Sequence, residues 1–188
     1  MIRAPRRTTP PALRVLNWGW GKDSTTIALM AHHGELPPFD AIISADTQQE
    51  PQEVYETVEW VTGILDVPLY RVTAGDLGAD ILRMAHAHRA GTAFSAGHCG
   101  QPPFYVKNDP NQHYATADRG GVLWRKCTHD YKIVPIRRKM RELLGVKPTG
   151  RLPKDLWVEQ AIGFPLDELG RTFCSDVQWI TNTFPLID

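Results

Sequence analysis

The first 90 residues alternate between short apolar runs of strand length and longer segments with helical periodicity. The apolar runs lie at about 13–18, 39–45 and 68–73, and the helical patterns lie at about 24–33, from Pro51 onward, and at 76–88. The run FDAIISA is apolar almost throughout, which is typical of a parallel strand buried on both faces. Because parallel strands need crossover connections, we predict an α/β fold with a mostly parallel, twisted sheet in three α/β/α layers.

The composition is that of an ordinary globular protein. A chain of 188 residues can bury a sizeable core, so we predict a single domain over 13–188 after a flexible lead-in at 1–12. Lys+Arg and Asp+Glu are both 21, which argues against a protein that coats duplex DNA. The three widely spaced cysteines favour a reducing cytoplasm over a disulfide framework. No apolar run approaches the roughly 18 residues of a membrane helix.

The second half of the chain is less regular. Glycines and prolines at 90–123 indicate a long irregular segment. Pro135 is expected to start or kink a helix that stops at Gly145. The run at 156–164 is a further strand candidate, and 167–179 is assigned to a helix.

The stretch NWGWGKDSTT at 17–26 lies between the first strand and the first helix, at the end of the sheet where ligands bind in α/β folds. A Walker loop fails here because Leu16 and Asp23 occupy two of its anchor positions, and a dinucleotide fingerprint fails at Ser24. Unpaired N–H groups at a helix start nevertheless attract phosphate, and Lys22 adds charge. The alternative is that Asp23 or Ser24 only caps the helix.

Residues 19–24, GWGKDS, resemble the S-G-G-x-D-S loop of the ATP pyrophosphatases, the adenine nucleotide alpha hydrolase superfamily. Gly19 stands where that family has Ser, and Trp20 stands where it has its first Gly. The resemblance implies a Rossmann-like nucleotide-binding fold. It implies catalytic roles for Lys22, Asp23 and Ser24, and nucleotide contacts from a further set, Gly19, Trp20, Gly21 and Thr25.

The stretch SADTQQE at 44–50 resembles the second-strand motif of phosphoadenylyl-sulfate (PAPS) reductases and their relatives. Asp46 and Thr47 match, whereas Gln48 replaces the usual Gly. The resemblance implies that Asp46 and Thr47 lie beside the nucleotide. Capping of the following helix by Asp46 or Thr47 is the alternative, and the two roles can coexist.

The stretch KCTHDYKIVPIRRKM at 126–140 resembles the segment with which this family binds phosphate or sulfate groups of its substrate. The implied substrate-binding residues are Arg125, Cys127, Lys132 and Arg137. Thr128 replaces the second cysteine of a pair that holds an iron–sulfur cluster in some members, so we expect no cluster in this chain. The spacing of His and Cys residues matches no closed zinc template, and we expect no protein metal centre.

Two later stretches, 159–171 and 178–188, resemble a PAPS reductase-like group common in bacteriophages and prophages. The resemblance implies a cytoplasmic enzyme of a bacterial or phage-infected cell. Its ligands would be ATP and Mg²⁺, and it would adenylylate an anionic acceptor, a small molecule or a nucleic-acid end, with release of pyrophosphate. A homodimer is compatible with the sequence. The alternatives are a thioredoxin-linked PAPS or adenylyl-sulfate reductase and a non-catalytic nucleotide-binding protein.

Overall fold

The computed structural model describes residues 7–91, 105–106, 121–122 and 127–187. The chain divides into two compact units. The first comprises residues 1–45, 50–72 and 136–188, and the second comprises 46–49 and 73–135.

The first unit is built on five parallel strands in the order β3-β2-β1-β6-β7. These strands are β1 (Leu13–Asn17), β2 (Ala41–Ala45), β3 (Leu69–Val72), β6 (Val158–Ile162) and β7 (Ile180–Thr183). The predicted α/β class, with a parallel sheet, is confirmed. β1 is the middle strand, with Val15 opposite Ala41 of β2 and Leu13 opposite Val158 of β6.

Helices cover both faces of this sheet. These helices are α1 (Lys22–His32), α2 (Gln52–Thr62) and α4 (Val134–Leu143). On one face Leu16 and Ile42 pack with Ile27 of α1 and Val58 of α2. On the other face Val15, Ile43 and Val158 pack with Ile136 and Met140 of α4. Alternate residues of one strand therefore enter opposite cores, which produces three layers in this unit.

The second unit contains α3 (Leu77–Arg89), the antiparallel pair β4 (Tyr105–Val106) and β5 (Gly121–Val122), and a π-helix at Thr128–Ile133. Its buried Tyr131 hydroxyl donates to the carboxylate of Asp80. Pro135 accounts for the widened turn, because it lacks an N–H and its ring would clash with the carbonyl four residues earlier. The expectation that Pro135 starts or kinks a helix is confirmed, since α4 begins at Val134 directly after the π-helix.

The prediction of a helix over 167–179 is wrong. The structure has only a short 3₁₀-helix at Leu166–Arg171, and the chain then extends into β7. The sequence of β7, ITNT, is rich in β-branched residues, and it pairs with β6 over Val158–Ala161. Pairing with a buried neighbour strand decides the conformation here. Of the irregular segment predicted at 90–123, only 90–91, β4 and β5 lie within the described residues.

Part of the lead-in is hydrogen-bonded to the sheet unit. The backbone N–H of Ala12 donates to the carbonyl of Trp157 at 2.9 Å, and the Trp157 indole N–H donates to the carbonyl of Thr9 at 3.1 Å. Arg7 donates to the Thr181 hydroxyl at 3.2 Å. Within the described residues, no helix has both the length and the apolar character needed to cross a membrane.

Candidate functional site

The loop at residues 18–21 leaves the middle strand of the sheet at its carboxyl end. From β1 the chain continues to β2 and β3 on one side, whereas β6 and β7 lie on the other. The carboxyl ends of β1 and β6 therefore flank the point at which the strand order reverses. In open α/β sheets, ligands bind at this point.

Helix α1 begins at Lys22 with an uncapped first turn. Gly21 is its N-cap residue, and the helix start has no capping hydrogen bond from a side chain within the described residues. The hydroxyls of Ser24 and Thr25 instead donate back to the carbonyl of Gly21, at 3.2 and 2.9 Å. The alternative in which Asp23 or Ser24 caps the helix is therefore wrong. The first N–H groups of α1 keep their capacity to donate to an anion.

Trp18 is a site residue that the sequence did not reveal. It is fully buried, and its indole N–H donates to the Thr25 hydroxyl at 2.9 Å. This bond ties the first turn of α1 to the core at the end of β1. In a strand, every second residue points to the same face, so Trp18 is expected on the face of Leu16. Only this period, continued one residue past the end of β1, could have indicated that Trp18 faces inward.

Trp20 adopts the left-handed backbone conformation, with φ of 62°. Its ring packs edge-on against Tyr55 of α2, with centroids 5.4 Å apart, and the Arg71 guanidinium lies 5.0 Å from its centroid. Trp20 also contacts the core that contains Leu16 and Ile27. The tryptophan side chain is thereby held by α2 and β3, while its backbone makes the turn. Gly21 itself has an ordinary φ of −83°.

Gln48, in the segment after β2, also adopts the left-handed backbone conformation, with φ of 60°. Its backbone N–H donates to the Asp46 carboxylate at 2.7 Å, and the Thr47 carbonyl accepts from Leu77 at 3.2 Å. Asp46 and Thr47 are both buried. Because the N-cap of α2 is Pro51, neither Asp46 nor Thr47 caps that helix, and the capping alternative is wrong for both.

Trp20 and Gln48 are the only non-glycine residues with positive φ in the described part of the chain. Both occupy positions where the pyrophosphatase and PAPS reductase patterns have glycine. The backbone thus adopts at two places a conformation that favours glycine, although neither residue is a glycine. Each left-handed residue of this kind lowers the stability of the fold by about 1–2 kcal/mol.

Replacing Gln48 with glycine is expected to stabilise the protein by roughly 0.5–1 kcal/mol, because relief of the left-handed strain outweighs the added chain entropy. Urea unfolding would measure the change. Gln52→Gly is the matched control, since Gln52 is exposed in the first turn of α2 and has an ordinary helical φ. The control should lose about as much as Gln48→Gly gains. Equal losses in both variants would contradict the strain argument.

Gly163, directly after β6, lies against the first turn of α1. A Cβ placed on Gly163 would lie 2.5 Å from the backbone nitrogen of Ser24 and 2.9 Å from the carbonyl carbon of Asp23. Only glycine allows the two backbones to approach this closely. Gly163 belongs to one of the later stretches quoted above, and the structure shows what it does there.

The charged residues of the loop are accessible. The Lys22 side chain is 86% exposed, and its ammonium lies 3.6 Å from the Asp23 carboxylate. Gly19 is exposed, with no described atom near the position that a Cβ would occupy. The residues predicted for phosphate binding in the first unit are consecutive in the sequence and lie in the loop after β1 and the first turn of α1, namely Gly19, Trp20, Gly21, Lys22, Asp23, Ser24 and Thr25.

The residues predicted to bind the acceptor are more scattered. Arg125 lies outside the described residues. Cys127 is half-buried just before the π-helix, and Lys132 lies within it. The Arg137 guanidinium donates to the carboxylate of Asp176, which precedes β7. The structure directs Arg137 toward the amino-terminal edge of the sheet and does not bring it to the loop after β1.

No group of three or more His, Cys, Asp or Glu residues in the described part of the chain could hold a metal ion. Comparison with known proteins gave no further guide to identity. A scan against protein-family models, a search of curated proteins and a search of solved structures each found no match to this chain.

Proposed function

We propose that the chain binds an adenine nucleotide at the loop after β1 and transfers its adenylyl group to an acceptor with release of pyrophosphate. The observation that carries this proposal is the uncapped first turn of α1 at the carboxyl end of the middle strand. Helix N–H groups and the helix dipole favour an anion at this position. Lys22 adds an accessible positive charge beside the same turn.

The two left-handed residues support the choice of nucleotide class. The ATP pyrophosphatase loop has glycine at the position of Trp20, and the PAPS reductase second-strand motif has glycine at the position of Gln48. Both residues adopt the left-handed conformation that glycine favours. Strained backbone conformations of this kind cluster at functional sites, where the shape of the loop matters for binding. We infer that the shape of these loops serves nucleotide binding. The identity of the base rests on the resemblance alone.

Mg²⁺ fits the residues present. In nucleotide sites this ion is held by one or two carboxylates together with the phosphates and water. Asp23 lies in the first turn of α1 and would supply one carboxylate to such an ion. When bound, the ion would neutralise charge on the phosphates. The protein would supply the carboxylate contacts and the fixed donors of the helix.

The proposed reaction is a displacement at the α-phosphorus. A nucleophilic oxygen of the acceptor forms the new bond to phosphorus, the bond to the bridging oxygen breaks, and pyrophosphate leaves with that electron pair. The acceptor's proton passes to solvent. The helix donors, Lys22 and the hydroxyls of Ser24 and Thr25 would stabilise the charge that develops on the phosphate oxygens.

Incubation of the protein with [α-³²P]ATP, Mg²⁺ and candidate anionic acceptors should yield labelled adenylyl product and pyrophosphate. Lys22→Gln is expected to lower the rate about tenfold or more, because it removes a charge next to the phosphates. Lys147→Gln, which removes a charge from another exposed position, should leave the rate unchanged. Release of ADP and phosphate would refute cleavage at the α-position. Binding of ATP without product would favour the non-catalytic alternative.

A further inference from the structure

A cavity of about 860 Å³ opens at the amino-terminal edge of the five-stranded sheet. Its walls are residues 150–154 and Leu156 before β6, residues 175–179 before β7, Arg141 in the last turn of α4, and Arg7 ahead of β1. All five strands are parallel, so their amino ends share one edge and the loop after β1 lies at the other. A five-residue strand spans about 16 Å. The cavity is therefore separate from the proposed nucleotide site.

The lining of this cavity is strongly cationic. Four positively charged side chains line it, Arg7, Arg141, Arg151 and Lys154. The acidic residue among the lining residues is Asp176, and its carboxylate is already bonded to Arg137. The surplus of positive charge among these lining residues attracts an anion.

Two of these cations are held in place by neutral acceptors. Arg7 donates to the Thr181 hydroxyl at 3.2 Å and to the Gln178 carbonyl. Arg141 donates to the Lys147 carbonyl at 3.1 Å and to the Gly150 carbonyl. Carbonyls and hydroxyls orient a guanidinium without cancelling its charge. Each guanidinium has further N–H donors for a ligand.

Each of the same two guanidiniums also makes a cation–π contact with an indole ring. Arg7 lies 5.0 Å from the centroid of Trp157, and Arg141 lies 5.7 Å from that of Trp179. Burial lowers the pKa of Arg7 below its usual value, as expected for a partly desolvated cation that no carboxylate stabilises. Stacked and bonded guanidiniums lose little conformational freedom when they bind a further partner.

We propose that this cavity binds a phosphorylated small molecule of nucleotide size, at a second site distinct from the loop after β1. Its volume falls within the roughly 300–1,000 Å³ of pockets that enclose such ligands. Arginine forks match the paired oxygens of a phosphate, and Arg7 and Arg141 are preorganised for that role. Arg151 and Lys154 are exposed and contribute charge at the opening of the cavity.

Calorimetric titration of the full chain with ADP at low salt tests this proposal. Wild-type protein should show a site whose affinity falls about tenfold or more in the double variant Arg151→Gln/Lys154→Gln. Both residues are exposed, so the variant should fold normally, as thermal unfolding would verify. Arg89→Gln/Arg138→Gln is the matched control, because it removes the same charge from exposed positions outside the cavity.

An equal loss of affinity in the control would show that ADP responds only to the net charge of the protein, and would overturn the proposal. Equal affinity for inorganic phosphate and for ADP would also overturn it, since the cavity would then recognise only an anion. If a 5′-phosphorylated oligonucleotide depends on Arg151 and Lys154 while ADP does not, the site would be one for a nucleic-acid end. Failure of ADP to bind this site would leave the ATP-cleavage test at the loop unaffected.

Discussion

Replacing Trp18 with alanine is expected to destabilise the protein by about 3–5 kcal/mol, the range for removal of a large buried aromatic side chain. Trp18 is 1% exposed and packs in the core with Leu16 and Ile27. The substitution also removes the donor to the Thr25 hydroxyl, so the first turn of α1 loses its tie to the core. Chemical denaturation with urea would measure the loss.

Trp60→Ala provides the matched control, because the same side chain is removed from a position that is 64% exposed. It should change the free energy of unfolding by no more than about 0.5 kcal/mol. Trp18→Phe separates the packing of the core from the positioning of Thr25, because it keeps most of the ring volume and removes the indole N–H. If the free energy of ATP binding falls by more than the free energy of unfolding, the bond to Thr25 serves the loop. Similar losses in Trp18→Ala and Trp60→Ala would contradict the assigned burial.

Replacing Gly163 with alanine is expected to destabilise the protein by about 2–3 kcal/mol. The new methyl group would meet backbone atoms of Asp23 and Ser24 at 2.5 to 2.9 Å. Backbone within a helix cannot rotate aside as a flexible side chain can. The end of β6 and the first turn of α1 would have to separate, and the first N–H groups of α1, at which we propose that phosphate binds, would move with them. Unfolding and ATP titration should both report the change.

Gly170→Ala is the control for this substitution. Gly170 lies in the short 3₁₀-helix, and no described atom lies within 4 Å of the position that its Cβ would take. It should therefore be close to neutral in stability and in ATP affinity. If Gly163→Ala behaved like Gly170→Ala, the close approach between β6 and α1 would be refuted.

Most of the sheet could be predicted because its strands carry a strong local signal. AIISA in β2 is apolar at every position except Ser44, as expected of a parallel strand that is covered by helices on both faces. The helix predicted over 167–179 failed because its periodicity was weak. The conformation of β7 depends on pairing with β6, and the paired residues Val158 and Ile180 are too far apart in the sequence for one local window to include both.

The candidate site was predicted in part. The position of the loop followed from strand-helix order, since the chain must turn at the carboxyl end of each strand. The conformation of the loop did not. A tryptophan is an unexpected residue at positive φ, and only its packing against Tyr55 and Arg71 accounts for its place there. The contact of Gly163 with Ser24 joins residues far apart in the sequence, so spacing alone could not reveal it.

The sequence by itself determined the α/β class, four of the five parallel strands and the position of a glycine-containing loop between the first strand and the first helix. These features follow from periodicity and from helix ends, which are local properties. The tertiary structure decided that the α1 helix start is uncapped, that Trp18 and Gly163 support it, and that Trp20 and Gln48 are strained. It also decided the cationic cavity at the opposite edge. These features depend on contacts between distant segments, and packing alone specifies such contacts.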